Sequence, residues 1–101
     1  MSLVVDNLVE RYAPLGSELL STLSESQKDV LYAIATDRVA TAITSGAFIK
    51  RHRLLSTSAV QSASQVLLKL GLVSRRGGEY RVSDPLLGHW LRRFIIASTA
   101  I

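Results

Sequence analysis

A pair of adjacent glycines, Gly77 and Gly78, most restricts how this chain of 101 residues can fold. They separate two short segments, 72–75 and 79–83, and the second segment alternates apolar with polar side chains. Two consecutive glycines can both adopt positive φ, which a tight two-residue turn between antiparallel strands requires. The sequence therefore predicts a β-hairpin in the last third of the chain.

Two helices are predicted in the centre of the chain. Ser24 and Gln27 match a capping box, in which each side chain satisfies a backbone amide, and they open a helix that reaches about Thr36. Residues 37–44 fit either a short strand or a helical turn. A second, short helix follows and ends near residues 52–53.

The longest predicted helix begins after Ser56 and reaches about Leu70, where Gly71 stops it. Apolar residues recur along it at helical spacing and predict a buried stripe, formed by Ala59, Val60, Ala63, Val66, Leu67 and Leu70. The opposite face is polar and is predicted to be exposed; it consists of Ser58, Gln61, Ser62, Gln65 and Lys69.

Both ends of the chain predict further helices. Large apolar residues recur at steps of three and four up to Leu23, and Pro14 should kink this region or start a second helix within it. Asp84 and Pro85 are typical of an N-cap and a first helical residue, and they open a last helix whose Trp90 is predicted to pack in the core. We expect the tail after Ala97 to fray.

This order of elements predicts a single domain that is mainly α-helical with a small β-hairpin. A helix, a short helix, a longer helix and a hairpin follow one another as in a winged helix-turn-helix, with a three-helix core and a two-stranded wing. We expect an N-terminal helical extension over residues 1–23, the winged helix-turn-helix over 24–83, and a C-terminal helix over 84–101 that packs on the same core.

The charges of the chain are unevenly distributed. Residues 1–45 include six acidic and three basic side chains, whereas residues 46–101 include nine basic and two acidic ones. Such asymmetry fits a surface that meets a polyanion, or one that is merely solvated. The second helix of the turn motif would present its polar face to the major groove, and the wing would contact phosphates. The predicted DNA-binding residues are Lys50, Arg51, Arg53, Ser58, Gln61, Ser62, Gln65, Lys69, Arg75 and Arg76.

Catalysis and metal binding are not expected of this chain. It has no cysteine, and its two histidines, His52 and His89, make a poor metal site. No local signature of a catalytic triad is present, so we predict no catalytic, cofactor-binding or metal-binding residue. No signal peptide and no apolar run long enough to span a bilayer is visible, and we expect a cytoplasmic protein without membrane contact.

The segment Tyr80-Arg81-Val82-Ser83-Asp84-Pro85-Leu86-Leu87-Gly88-His89-Trp90-Leu91 resembles the C-terminal winged-helix domain of the archaeal-type AAA ATPases. In that family a wing strand ends in Tyr-x-Val-x-Asp-Pro-Leu, and the next helix bears a Trp-Leu pair. The similarity covers residues 24–94 and includes Ser24-x-x-Gln27-Lys28-x-x-Leu31, Phe48-Ile49, Ser56-x-Ser58-x-Val60 and Leu70-Gly71-Leu72-Val73.

The resemblance implies that the chain is the end fragment of an ATP-coupled protein. In the family an ATPase module with Walker motifs, ATP and magnesium precedes this domain, so the resemblance implies such a module here. The chain itself contains no Gly-x-x-x-x-Gly-Lys-Ser/Thr sequence. Such an end domain binds DNA or another protein, so two alternatives to DNA binding stay open. The chain could dock on the ATPase or pair with its own copy through Leu3, Val4, Leu8, Leu91, Phe94 and Ile95. It could also be a free-standing transcription regulator.

Overall fold

The computed structural model describes residues 8–97. Within them the chain is mainly helical, with residues 8–11 in a helix that breaks at Tyr12. The elements that follow are α1 (Ala13–Ser21), α2 (Glu25–Asp37), β1 (Ala40–Thr41), α3 (Gly46–Arg51), α4 (Thr57–Lys69), β2 (Val73–Arg76), β3 (Glu79–Val82), α5 (Pro85–Trp90) and a π-helical segment (Leu91–Ile96) that continues α5.

Side-chain caps start the helices where the sequence predicts them. The Gln27 amide donates to Ser24 Oγ at 3.2 Å, and the Ser24 amide donates back to Gln27 Oε1 at 2.9 Å, which confirms the capping box. Ser56 Oγ accepts from the Ala59 amide at 3.1 Å. Asp84 Oδ1 accepts from the Leu86 amide at 2.9 Å. Each cap satisfies an amide that the first helical turn leaves without a partner.

The sheet has three antiparallel strands in the order β1-β3-β2, so the predicted two-stranded wing acquires a third strand. The ambiguous stretch before α3 supplies that strand, with Ala40 paired to Tyr80. Ala40 is fully buried, and this tertiary pairing selects the strand over a helical turn. In the hairpin Val73 pairs with Val82 and Arg76 pairs with Glu79, which confirms the register that the two glycines predict.

The core lies between α2 and α4 and is closed by the sheet and α5. Leu31 and Ile34 of α2 and Val60 and Leu67 of α4 are all at most 1% exposed. Leu70, predicted to be buried, is instead 56% exposed. The helix has ended by that residue: the Leu72 amide donates to the Leu67 carbonyl at 3.0 Å, so the turn directs Leu72 rather than Leu70 toward the core.

The terminal helices pack on this core with one face only. α1 starts with Pro14 in its first turn, as predicted, and Trp90 of α5 is 2% exposed. Leu8 and Leu15 are 48% and 57% exposed, so the apolar stripe of the N-terminal region is only partly buried.

The self-pairing surface suggested by the sequence is not assembled as expected. Leu91 is completely buried inside the domain and cannot contact a second copy, because its side chain already packs in the core. Leu3, Val4 and the tail after Ala97 lie outside the described residues. Among the helices between residues 8 and 97, none combines the length and the apolar character that a membrane crossing needs.

Candidate nucleic-acid interface

The outer face of α4 carries the five polar side chains predicted for it. All five are exposed: Ser58, Gln61, Ser62, Gln65 and Lys69. Their orientation follows from the opposite face, because Val60, Ala63, Ser64 and Leu67 are buried against the core and fix the rotation of the helix about its axis. The Ser64 hydroxyl donates to the Gln61 carbonyl at 2.9 Å, so burial leaves it no unsatisfied hydrogen bond.

The turn between α3 and α4 gives the two helices a fixed relation. Ser45 Oγ accepts from the Phe48 amide at 3.2 Å and starts α3. The Thr57 hydroxyl donates to the Thr44 carbonyl at 3.3 Å, which ties the start of α4 to the loop before α3. Lys50 and Arg53 are exposed beside this turn, and Arg53 has a φ of +55°. The structure thus places these two cations at the edge of the helix-turn-helix.

Arg51 differs from the other predicted contacts because its guanidinium is paired within the domain. Its Nη2 donates to Asp37 Oδ2 at the end of α2, and its charge lies 5.6 Å from the centre of the Phe48 ring. His52 Nε2 approaches Asp37 Oδ1 at 3.1 Å, within ion-pair distance but not aligned as a hydrogen bond. Sequence reasoning missed Asp37, since its two partners are 14 and 15 residues away along the chain and no local pattern links them.

The wing turn has the backbone that its glycines predict. Gly77 and Gly78 have φ values of +56° and +86°. Successive residues of a strand point to opposite faces of a sheet, so Arg75 and Arg76 leave the backbone on opposite sides. Both still line one depression at the wing. Arg75 lies 5.9 Å from the centre of the Tyr80 ring. Arg76 shares the other face with Ser74, Arg81 and Glu79, and Glu79 forms an ion pair with Arg81.

Most of the predicted cations have no anionic partner inside the domain. Arg51 alone of them forms an ion pair within residues 8–97, whereas no such pair involves Lys50, Arg53, Lys69, Arg75 or Arg76. Glu79 lies opposite Arg76 on the wing and Asp29 lines the same depression as Arg53, but neither carboxylate forms an ion pair with that arginine. Exposed cations that outnumber the carboxylates around them create a positive potential that attracts polyanions. The described residues also contain no group of three or more histidines and carboxylates that could hold a metal ion.

Comparison with known proteins agrees with this geometry. A family model described as a probable winged helix domain matches residues 16–93. The chain therefore belongs to this winged-helix family. The description of this family names neither an enzyme activity nor an ATPase. Neither the curated proteins nor the solved structures gave a match.

Proposed function

We propose that the domain binds duplex DNA, with the outer face of α4 in the major groove and the wing on the adjacent phosphate backbone. The observation that carries this proposal is one exposed polar helix face flanked by five cations that form no ion pair within residues 8–97. A helix with one face anchored in the core and the other free of apolar residues has the form that groove insertion needs.

The side chains of α4 favour backbone contact over extensive reading of bases. Gln61 and Gln65 can each pair with an adenine edge, but the face has no arginine, the side chain that most often reads guanine. Serine and lysine contact phosphate as readily as bases. Modest sequence preference and a large electrostatic contribution to affinity follow from this composition.

The proposal is tested by measuring affinity for a duplex of about 20 base pairs at several salt concentrations. Each phosphate contact contributes about 0.9 to the slope of log K against log salt, so five cations predict a slope of about −4 to −5. Replacing Arg75 and Arg76 together by alanine should reduce the slope by about 1.8.

Arg11→Ala is the control, because Arg11 is exposed and lies outside the interface. It should leave the slope unchanged. Absence of any binding at low salt, or an equal effect of Arg11→Ala and the wing variant, would overturn the proposal.

A second candidate is a docking role as the end domain of an AAA ATPase. The exposed apolar side chains of Leu8, Leu15 and Leu55 support it, as does the resemblance of segment 80–91 to that family. The test is whether the reading frame upstream encodes a P-loop. If it does, Leu15→Glu should weaken binding to the ATPase module, and Ser17→Glu on the same helix should not. A frame without a P-loop would remove this candidate.

A further inference from the structure

A depression of about 260 Å³ lies where the end of α2, strand β3 and helix α5 meet. Three arginines from separate parts of the sequence line it: Arg38, Arg81 and Arg92. None of them belongs to the α4 face or to the tip of the wing. Sequence reasoning assigned them no role, because only the packing of α5 on the sheet brings them together.

Arg92 is held in a fixed position at the floor of this depression. Its Nη1 donates to the Ala35 carbonyl at 3.1 Å, and its side chain is half-buried. Gly88 leaves room for it, since a Cβ atom there would lie 3.2 Å from Nη1. One N–H donor of the guanidinium is thus used within the protein. The planar group has five such donors, so this bond orients it without using its full donor capacity.

Arg38 occupies a strained backbone conformation at the rim. It is the central residue of a γ-turn in which the Val39 amide donates to the Asp37 carbonyl at 2.7 Å, with φ +65° and ψ −53°. This form of γ-turn is rare for residues other than glycine. Backbone strain of this kind persists only where the surrounding structure over-determines it, and it is concentrated at binding and catalytic sites. Backbone energetics alone would favour glycine at this position, not arginine.

One acidic residue, Asp84, also lines the depression, and its single charge does not balance the three arginines. Burial and, after it, the neighbouring charge of Arg38 lower the pKa of Arg92, so two like charges lie close together. Neither forms an ion pair within residues 8–97. Arg81 is paired with Glu79 at 3.1 Å. The Asp84 carboxylate accepts from the Leu86 amide and interacts with Tyr12.

We propose that Arg38, Arg81 and Arg92 form a binding site for a phosphate group that is separate from the α4 face. A phosphate oxyanion offers several acceptors, and guanidinium groups bind it through paired hydrogen bonds. The anion would also relieve the repulsion between Arg38 and Arg92. It comes either from a nucleic-acid backbone or from a free phosphate. Arg81 also lines a second depression, at the wing, together with Arg75, Arg76 and Glu79, so a backbone could run from the wing to this site.

The decisive variant is Arg38→Gly, because it removes the guanidinium and relieves the strained backbone at once. Ala42→Gly is the matched control: Ala42 also has positive φ, +50°, but carries no charge. Both variants should melt at a higher temperature than the parent. Affinity for inorganic phosphate, titrated against chloride at constant ionic strength and followed by amide NMR shifts, should fall about tenfold in Arg38→Gly alone. The proposal is wrong if Arg38→Gly binds phosphate as tightly as the parent, or if phosphate does not shift the amide signals around residues 38, 81 and 92.

Duplex DNA distinguishes the two sources of phosphate. If a backbone phosphate occupies the site, Arg38→Gly reduces the salt slope of DNA binding by about 0.9, and free phosphate competes with the duplex. If the ligand is free phosphate, that slope is unchanged while phosphate affinity still falls about tenfold. A domain that binds phosphate through Arg38 but binds no DNA keeps this site and refutes the proposed function. A domain that binds DNA but no phosphate keeps the proposed function and refutes this site.

Discussion

Gly16 of α1 lies directly against the indole ring of Trp90 in α5. A Cβ atom at residue 16 would be 2.6 Å from Cζ3 of that ring, closer than real Cβ atoms approach other heavy atoms. Tyr12 packs on the same indole at 6.1 Å between ring centres. The absence of a side chain at residue 16 therefore allows the N-terminal helix to reach the core.

Gly16→Ala should lower the free energy of unfolding by up to about 2 kcal/mol. Alanine favours a helix by about 1 kcal/mol over glycine, but forcing a methyl group into a packed site costs about 1–3 kcal/mol and outweighs that gain. Urea denaturation measures the difference. Gly46→Ala is the control, since no atom lies within 4 Å of its added Cβ and its stability should not fall. A Gly16→Ala protein as stable as the parent would contradict the close approach.

Ser56→Ala should cost about 1 kcal/mol of stability, because the amide of Ala59 loses the hydroxyl that caps α4. Thermal unfolding followed by circular dichroism measures this loss. Ser62→Ala, in the middle of the exposed face of the same helix, is the matched control and should change stability little. Equal effects of the two substitutions would mean that the cap does not hold the start of α4.

Gly78→Ala should destabilise the wing by about 1 kcal/mol, because a non-glycine residue must adopt a φ of +86° there. No neighbouring atom would clash with the methyl group, so the effect isolates backbone strain. Gly77→Asn should be better tolerated, since asparagine adopts the left-handed conformation more readily than alanine. Urea denaturation of the two variants tests this order, and a reversed order would rule out the turn geometry.

Tyr12 should make the domain sensitive to alkaline pH. Burial, and then the charge and hydrogen bond of Asp84, raise the pKa of Tyr12 above its ordinary value of 10.0. Because the folded pKa is the higher one, the stability that Tyr12 contributes is present below pH 10.0 and is lost as the pH rises through the folded pKa.

Tyr12→Phe should therefore lose less stability than the parent when urea denaturation is repeated between about pH 9 and 11. Burial also raises the pKa of Tyr32, but that residue is present in both proteins, so the comparison isolates Tyr12. Parallel loss of stability in the two proteins would show that Tyr12 does not titrate differently in the folded state.

Asp37→Asn should strengthen DNA binding while weakening the fold slightly. The substitution removes the carboxylate that pairs with Arg51 and releases that guanidinium toward a phosphate. We expect the salt slope to steepen by about 0.9. Stability should fall by at least about 0.2–1 kcal/mol, the usual value of an exposed ion pair, because Asp37 is mostly buried and also lies beside His52. Adding Arg51→Ala should cancel the gain in affinity. A flatter slope in Asp37→Asn would contradict the release of Arg51.

Local signals predicted most of the elements. The hydroxyl of Ser24 and the amide it caps are three residues apart, and Gly77 and Gly78 are adjacent, so their energetics depend little on the rest of the chain. The outer face of α4 was predicted for the same reason, because helical spacing alone separates polar from apolar side chains. Whether that face binds DNA stays a prediction.

The sequence alone determined the order of the helices, their caps, the wing turn and the polar face of α4, since each rests on interactions within about four residues. Only the tertiary structure decided that residues 40–41 join the sheet, that Leu70 is exposed, and that Arg51 pairs with Asp37. It also placed Arg38, Arg81 and Arg92 around one depression. These outcomes depend on contacts between distant segments, and their free energies arise only when the packed core fixes those segments in space.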